Sequence, residues 1–423
     1  MSSIQKGIKV RLLAHKILIS LKEKHLNLDE ILNTIYSKNQ LSINDKKMLY
    51  SIILTSMRYN LYIKKIISKY IKKKIKKHQY ILFLSAITQI VYLDFKEYAV
   101  VNSSVEIAKN NKVKIYPGFV NAVLKKICKD KISLKKTNIS FNDFPDWFEK
   151  ETVDMEKEQR DNFLGSITEK PNLHIVFKET IPDSFKKLNI IKTTENSLVC
   201  LEGLEINKLP EYAEGEWWVQ DYSTMLPLYL IKDLKNKKVL DMCAAPGGKS
   251  FQALSNFADV DMYEINKNRA KILSINLRRL KYNTNFSIKD SLNINSNKKY
   301  DYILIDAPCS AVGTVRRNPE IFFREKTPNF SLLAHNQEKL LNKAKELIKE
   351  KGIIIYMVCS FLPSETVNLV EKFLNKNKNF KIEKYLAGDE KLINTLGCIE
   401  IIPKQFKNFN IDGFFAVKLI NNG

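Results

Sequence analysis

Two cysteines stand in sequence settings that favour chemistry by a thiolate. Cys309 ends an Asp-Ala-Pro-Cys segment, and Cys359 follows fifty residues later within Val-Cys-Ser. Each comes after an apolar run, 302–305 and 353–357, that predicts a buried parallel strand. Ligands of open α/β sheets bind outside the carboxyl ends of the strands, so we expect both thiols to face one crevice. A thiolate there could attack an electrophilic carbon.

A glycine turn precedes the two cysteines in the chain. Gly247 and Gly248 join a predicted strand, 238–242, to a helix. Glycines let a backbone approach a ligand closely, and a helix N-terminus offers amide donors to it. A phosphate-binding P-loop would need its first glycine where Cys243 stands, and GxGxxG is absent. The turn therefore favours a ligand without a pyrophosphate; the alternative is a tight turn without a ligand.

Two acidic residues follow the next predicted strands. Glu264 lies at the end of 260–265, where an acid often accepts hydrogen bonds from a ribose, and Asp290 follows 286–289 on the adenine side. With the glycine turn, they predict S-adenosylmethionine rather than a dinucleotide. The predicted cofactor contacts are Cys243, Ala244, Ala245, Pro246, Gly247, Gly248, Lys249, Glu264, Asp290 and Asp306.

The elements that must position these residues alternate regularly from residue 237 onward. Strands are predicted over the ranges already named and over 414–419, and an amphipathic crossover helix over 337–350, closed by Gly352. This alternation is typical of a doubly wound parallel sheet.

Residues 1 to about 130 show helical periodicity throughout, with no strand signal. Within them, 64–77 holds eight lysines and no acid, and its isoleucines keep the helical period. Such a run is either a solvated helix face or a contact for RNA. Repulsion between like charges on one short helix favours the contact.

The segment from 138 to about 221 alternates short strands and short helices and predicts a small α+β module. Trp217 and Trp218 could stack on bases there or pack beside a strand. We therefore expect three domains: 1–135, 136–222 and 223–423.

Composition narrows the class of protein further. The 423 residues include 69 basic and 46 acidic ones, a net charge of +23, which favours a polyanionic partner over a mere lysine-rich bias. Six scattered cysteines and five histidines predict neither a metal site nor a disulfide framework, which suits a reducing cytoplasm. The uncharged stretch 80–93 is too short to span a membrane and predicts a buried helix. We expect a cytoplasmic monomer.

These motifs together carry a family resemblance. Residues 217–423 resemble the RNA cytosine-5 methyltransferases of the Sun/Fmu family, and residues 1 to about 130 resemble the NusB-like RNA-binding domain. The matching segments are WWVQDYS (217–223), LDMCAAPGGKS (240–250), DAPCSAVGTVRRNPEI (306–321), CSFLPSE (359–365) and DGFF (412–415) in the first, and YPGFVNAVLKKI (116–127) in the second.

The resemblance implies an α/β methyltransferase with a Rossmann-like doubly wound sheet, preceded by an all-α NusB-like domain and a small α+β module. It also implies methyl transfer from S-adenosylmethionine to carbon 5 of a cytosine in RNA, 16S ribosomal RNA for this combination of domains. By position Cys359 is the nucleophile and Cys309 assists release. Asp306 would contact the base or the cofactor, and Lys249 would help to lower a thiol pKa.

Two departures from the family pattern and two rival functions accompany this resemblance. Val358 replaces threonine, and Ser-Glu-Thr at 364–366 replaces Glu-Glu-Asn; neither removes a reacting atom. A DNA cytosine-5 methyltransferase would not need the second cysteine. A NusB-like RNA chaperone with an inactive methyltransferase fold would not need Cys309, Cys359 and Asp306. Arg316 and Arg317 are expected to contact phosphate or to order their loop, and Cys243 to pack the cofactor loop.

Overall fold

A computed structural model describes residues 3–24, 28–109, 113–201, 203–231, 233–284, 286–295, 297–386 and 392–423. Internal contacts divide the chain into two compact units. The first unit comprises Met1–Lys150 and Asn318–Thr327, and the second comprises Glu151–Arg317 and Pro328–Gly423. This division is coarser than the three predicted domains, whose boundaries stay predictions.

The first unit is helical, as its periodicity predicts. Isoleucine and leucine side chains on the inner faces of its helices form one buried core, to which Phe323 also belongs. Its helices are α1 (Ser3–Glu23), α2 (Leu28–Lys38), α3 (Ile43–Arg58), α4 (Asn60–Tyr70), α5 (Lys77–Ile87), α6 (Glu97–Ala108), α7 (Pro117–Leu134) and the short α8 (Asp146–Glu151), which ends at the start of the second unit.

The lysine run does not form the single helix that its periodicity predicts. Helix α4 ends at Tyr70, α5 begins at Lys77, and the residues between them are not helical. Ile71 adopts an extended conformation and is buried. A helix continued through residues 72–74 would place Lys72 and Lys73 one turn from Lys69 and from Lys76, with no acid in the run to offset the repulsion, so the extended segment has the lower free energy.

The apolar stretch 80–93 forms a buried helix, as predicted. Helix α5 passes directly into a π-helical turn, Thr88–Tyr92, and most side chains of both are buried. None of the helices in the described part of the chain has the length and apolar character to cross a membrane.

The second unit opens with helix α9 (Lys157–Ser166) and a small antiparallel sheet, the predicted α+β module. The strands are β1 (Leu173–Phe177), β2 (Ile190–Thr194), β3 (Ser197–Cys200) and β4 (Trp217–Val219), in the order β2-β3-β1-β4. Trp217 and Trp218 are buried, so packing is right and base stacking is wrong for both. Nε1 of Trp217 donates to the carbonyl of Pro210 over 2.7 Å.

The large sheet of the second unit carries the predicted alternation. Strands β5 to β9 are parallel, with β8 next to both β5 and β9. Residues 414–419 form a strand, but β14 runs antiparallel to β9, so the sheet is mixed rather than wholly parallel. Its strands are β5 (Lys238–Asp241), β6 (Asp259–Tyr263), β7 (Phe286–Ser287), β8 (Tyr300–Asp306), β9 (Ile348–Val358), β10 (Phe380–Glu383), β11 (Ile399–Ile401) and β14 (Phe414–Asn421); β12 (Lys404–Phe406) and β13 (Phe409–Ile411) form a separate hairpin.

Helices cover both faces of this sheet, and each face has its own buried core. The predicted crossover helix is displaced: it ends at Leu347, and Gly352 lies inside β9 instead of closing a helix. The register with β8 shifts at this point, and Lys351 takes a positive φ of 59°, which marks a β-bulge. The helices are α10 (Tyr222–Tyr229), α11 (Gly248–Ser255), α12 (Lys267–Arg279), α13 (Phe330–Leu347) and α14 (Val367–Lys376).

The packing role of Trp217 can be tested by removing the hydrogen bond that its indole makes. Trp217→Phe keeps an aromatic ring but leaves the carbonyl of Pro210 without its buried donor. We expect the free energy of unfolding of the second unit to fall by about 1–3 kcal/mol, measured by urea titration. Val219, the exposed end of the same strand, gives a control in Val219→Thr, which should change stability little. Equal stability of Trp217→Phe and wild type would contradict the packing role.

Candidate active site

The two cysteines lie at the carboxyl ends of neighbouring parallel strands. Asp306, the last residue of β8, is opposite Met357 of β9, and the amide of Ala307 still donates to the carbonyl of Met357 over 2.9 Å. Cys359 is the first residue past β9, and Cys309 comes three residues past β8. Both thiols are partly buried, and a charge on Cys359 would raise the pKa of Cys309, as expected of neighbouring groups. The single crevice that both thiols would face stays a prediction.

A buried carboxylate holds the loops that carry these cysteines. Glu365 is fully buried and accepts hydrogen bonds from the amide (2.8 Å) and the hydroxyl (2.5 Å) of Ser310. The amide of Gly313 in turn donates to the carbonyl of Cys359 over 3.0 Å. The neighbours of both thiols are therefore tied to each other by backbone as well as side-chain bonds.

An ion pair lies beside the crevice. Nζ of Lys249 is 2.8 Å from Oδ2 of Asp306, and Lys249 is buried. Burial by itself would lower the pKa of Lys249, but the charges of Asp306 and of a Cys359 thiolate, with the hydrogen bond to Asp306, raise it. The lysine thus stays protonated and supplies a fixed positive charge to the site.

Both thiols resist ionisation in this environment. Burial, and then the charge of Asp306, raise the pKa of Cys359 to about 12, while Lys249 opposes the shift. Burial raises the pKa of Cys309 well above its ordinary value too, and Cys359 and Glu365 add to it. At neutral pH both cysteines are therefore thiols, and a nucleophilic step needs a proton acceptor close by.

The glycine turn forms the loop between β5 and α11. Gly247 has a φ of 118°, and a Cβ there would lie 2.0 Å from the ring of Phe251, so only glycine fits. Asp241 at the end of β5 accepts from the hydroxyl of Ser250 (2.6 Å) and from the amide of Cys243 (3.3 Å). Burial is the main reason that the pKa of Asp241 rises to about 6, and the charge of Asp306 adds to the shift.

A cavity of about 400 Å³ lies at the ends of β5 and β6. Glu264 and Asp290 both line it, as the prediction requires, together with Met242, Cys243 and Pro308. Since Pro308 is the neighbour of Cys309, the cavity reaches the loop of the first cysteine. Of the other predicted contacts, Ala244 and Ala245 are buried within the turn, Pro246 follows Ala245 through a cis peptide bond, and Gly247, Gly248 and Lys249 begin α11.

Glu264 has a structural task besides the predicted one. Its carboxylate accepts from the amide of Ala245 (3.3 Å) and from that of Asn266 (2.8 Å), and Arg269 lies 3.6 Å away. It therefore clamps the glycine loop to the end of β6. Oδ1 of Asp290 accepts a hydrogen bond from the amide of Leu292 over 3.0 Å.

A buried charge network fixes the remaining motifs. Asp412 pairs with Arg316 (2.6 Å) and Arg317 (2.5 Å), and Arg317 also reaches Asp221 over 2.8 Å. The arginines thus order their loop, which was one of the two roles expected for them. The positive charges hold the pKa of Asp221 well below its usual range, against the effect of burial and together with His174.

Residue-pattern reasoning missed Glu365 and Asp241. Asp241 ends a buried strand just as Asp306 does, so its position alone could have marked it. Glu365 was visible only as the acid of the CSFLPSE segment; its burial and its bonds to Ser310 depend on the fold. Cys243 lines the cavity, and Cys200 and Cys398 are buried in cores as small hydrophobic side chains.

The charges around Cys359 predict opposite effects of two substitutions. Lys249→Gln removes the charge that lowers the pKa of Cys359, and Asp306→Asn removes one that raises it. Below pH 12 the thiolate fraction, and with it the rate of alkylation, changes about tenfold for each unit of pKa. At pH 8 we therefore expect iodoacetamide to label Cys359 more slowly in Lys249→Gln and faster in Asp306→Asn than in wild type.

Mass spectrometry of the labelled peptide measures this rate, and Cys359→Ser identifies labelling at other cysteines. The wild-type rate should rise steadily from pH 7 to the highest pH at which the protein stays folded. Changes of the same sign in Lys249→Gln and Asp306→Asn would show that access, rather than charge, controls the thiol.

Comparison with known proteins agrees with this geometry. Residues 228–420 match the family model described as 16S rRNA methyltransferase RsmB/F, and residues 8–129 match the NusB family. A ribosomal RNA small subunit methyltransferase B from Photorhabdus laumondii is 26% identical over 93% of this chain and 95% of its own. A probable ribosomal RNA small subunit methyltransferase B from Bacillus subtilis is 25% identical over 99% of this chain and all of its own (100%).

Solved structures share the fold. The crystal structure of PH0851 has a TM-score of 0.73 at 17% identity and covers 99% of both chains. That of NSun6 from Pyrococcus horikoshii with SFG has a TM-score of 0.58 at 16% identity, over 66% of this chain and 99% of that one. The resemblance drawn from the motifs is confirmed. Residues 228–420 are therefore an RsmB/F-type methyltransferase domain, and residues 8–129 are a NusB-type domain.

Proposed function

We propose that this protein transfers a methyl group from S-adenosylmethionine to carbon 5 of a cytosine in 16S ribosomal RNA, through a covalent adduct between Cys359 and carbon 6. The observation that carries the proposal is the pair of thiols at the ends of adjacent strands, next to the Lys249–Asp306 ion pair. The names of the relatives, which describe small-subunit ribosomal RNA methyltransferases, support the substrate.

The cavity has the features that S-adenosylmethionine needs. Its volume of about 400 Å³ lies within the range of small-molecule sites. Glu264 and Asp290 offer carboxylate oxygens on the cavity wall. When bound, the cofactor would supply a methyl group on a sulfonium. No pyrophosphate cradle is present in the turn, which disfavours a dinucleotide there.

The residues can account for activation of the cytosine. Carbon 5 is too weak a nucleophile to take a methyl group directly. In the proposed first step the sulfur of Cys359 bonds to carbon 6, and the thiol proton passes by way of Asp306 to N3 of the base. Carbon 5 then has the character of an enamine and can accept the methyl group. Nζ of Lys249, 2.8 Å from Oδ2 of Asp306, would hold this carboxylate in place to pass on the proton.

Release requires a base near carbon 5. We assign this assistance to Cys309, in the loop after the neighbouring strand. Cys309 rests as a thiol, so it first gives its proton to solvent; its thiolate then takes the proton from carbon 5 and becomes a thiol again. The electron pair of that bond then re-forms the ring, N3 returns its proton, and the bond between Cys359 and carbon 6 breaks, so that Cys359 leaves as a thiol. One proton is released for each methyl group transferred.

Single substitutions of the two cysteines distinguish these roles. Cys359→Ala should abolish both methyl transfer and any covalent complex, because no sulfur reaches carbon 6. Cys309→Ala should accumulate a covalent protein–RNA complex, because addition proceeds while release stalls. Denaturing electrophoresis with labelled RNA measures the complex, and transfer of labelled methyl groups measures activity. A complex formed by Cys359→Ala but not by Cys309→Ala would reverse the assignment.

The cofactor site predicts a graded response at its two carboxylates. Glu264→Gln keeps one oxygen acceptor but weakens the clamp on the glycine loop, and Asp290→Asn changes a cavity wall without touching that loop. We expect calorimetry to show S-adenosylmethionine binding weaker by about 1–3 kcal/mol for Glu264→Gln, with a smaller loss for Asp290→Asn. Unchanged affinity in Glu264→Gln would place the cofactor elsewhere.

A further inference from the structure

The first unit contains a groove of about 500 Å³ that the proposed chemistry does not use. We call it the lysine groove. Helix α4 and the extended segment after it form one side, and residues 143–146 and 322–324 form the other. All of its lining residues belong to the first unit.

The floor of the lysine groove is apolar. Leu61, Ile67, Ile71 and Phe144 are almost completely buried, and Ile75 is half-buried at the surface of the floor. A phosphate or another small anion gains nothing from such a surface. A flat, weakly polar group such as a nucleobase can bury its faces against it. The volume leaves room for a base together with its ribose.

The rim of the lysine groove is positive. Lys64, Lys73 and Lys74 are exposed, and across the described residues no acidic side chain pairs with any of them. Two neighbouring lysines are neutralised by acidic partners instead: Lys65 pairs with Asp143 (3.1 Å), and Lys77 pairs with Glu325 (2.8 Å). The three rim lysines therefore offer their charges to an outside ligand.

A further charge lies at the inner end of the groove. Nζ of Lys22 donates to the carbonyl of Phe323 over 3.1 Å and lies over the rings of Tyr80 (5.3 Å) and Phe323 (4.8 Å). In all, five basic residues and two acidic ones line the groove, Lys22, Lys64, Lys73, Lys74 and Arg324 against Asp143 and Asp146. Arg324 pairs with Glu320 over 3.6 Å, so the excess of positive charge around the apolar floor comes from the lysines.

We propose that the lysine groove binds a nucleotide of single-stranded RNA, with the base on the isoleucine floor and the flanking phosphates on Lys64, Lys73 and Lys74. The inference rests on the proposed RNA substrate and adds a site for the unpaired part of it. A duplex keeps its bases stacked and presents only phosphates and ribose to a protein, so it could use the rim but not the floor. Charge and floor together favour a single strand.

Fluorescence anisotropy of the full-length protein with a short labelled RNA strand tests the rim. Lys73→Gln with Lys74→Gln removes two rim charges; Lys38→Gln with Lys47→Gln removes two exposed charges of α2 and α3 outside the groove. We expect the rim pair to weaken binding roughly tenfold and to flatten the slope of log affinity against log salt by about 1.4. The control pair should change both only slightly. Equal effects of the two pairs would overturn the proposal, because a general positive field would then explain the binding.

The floor is tested by Ile75→Ser, with Ile75→Met as its apolar control. Loss of apolar surface should weaken single-strand binding roughly fivefold in Ile75→Ser, while the same RNA annealed to its complement binds as before. Ile75→Met should bind both like wild type, and equal thermal midpoints exclude unfolding as the cause. Unchanged single-strand binding in Ile75→Ser would reduce the groove to a phosphate contact and overturn the base site. Polyglutamate is added as a competitor of the RNA. If it competes, and if the rim pair and Ile75→Ser abolish that competition equally, the groove binds an acidic protein instead, which would also overturn the proposal.

Methyl transfer measured on the same wild-type preparation separates this inference from the proposed function. If RNA takes up no methyl group while the rim and floor variants still lose single-strand binding, the proposed function fails and the groove stands. If methyl transfer is found and both groove variants bind like their controls, the function stands and the groove fails.

Discussion

The parallel pairing of β8 with β9 is the interaction on which the rest of the candidate site depends. Because Asp306 lies opposite Met357, the chain leaves both strands at the same edge of the sheet, and both cysteines follow at that edge, where the predicted crevice would lie. Glu365 then converts proximity into a fixed arrangement. Its carboxylate meets the amide and the hydroxyl of Ser310, which would otherwise be partly buried without strong acceptors.

Burial determines the chemical state of this crevice. It raises the pKa of both thiols, so the resting protein holds them protonated, where they are poor nucleophiles and poor targets for oxidation. In the Lys249–Asp306 ion pair, the charge of Lys249 counteracts the rise of the Cys359 pKa, whereas the charge of Asp306 adds to it. A protonated lysine next to a carboxylate supplies both a positive charge that favours a thiolate and an oxygen that can receive its proton. A buried ion pair costs desolvation energy, and we infer that its place here is chemical rather than stabilising.

Local sequence rules succeeded where a single strand or turn decides the outcome. Apolar runs located β5, β8 and β9, and residues directly after them fell at the predicted edge. Cys243, Glu264 and Asp290 meet at one cavity for the same reason, although Gly247 and Gly248 do not line it. The rules failed where neighbours in space compete with local preference. The lysine run breaks into an extended segment because like charges oppose a helix. Gly352 lies in a bulged strand because β9 already pairs with β8 at Ile348, before the apolar run 353–357 begins.

The sequence by itself determined the class of fold and marked two cysteines and a glycine loop as candidate site residues, because periodicity, strand ends and glycine turns are properties of short segments. Only the tertiary structure decided what surrounds them. Glu365 meets Ser310 across fifty-five residues, and Asp412 meets Arg317 across ninety-five. The lysine groove likewise joins α4 to residues 322–324, far along the chain. Such contacts, and the pKa shifts that follow from burial, depend on which surfaces the chain brings together, and no local pattern records that choice.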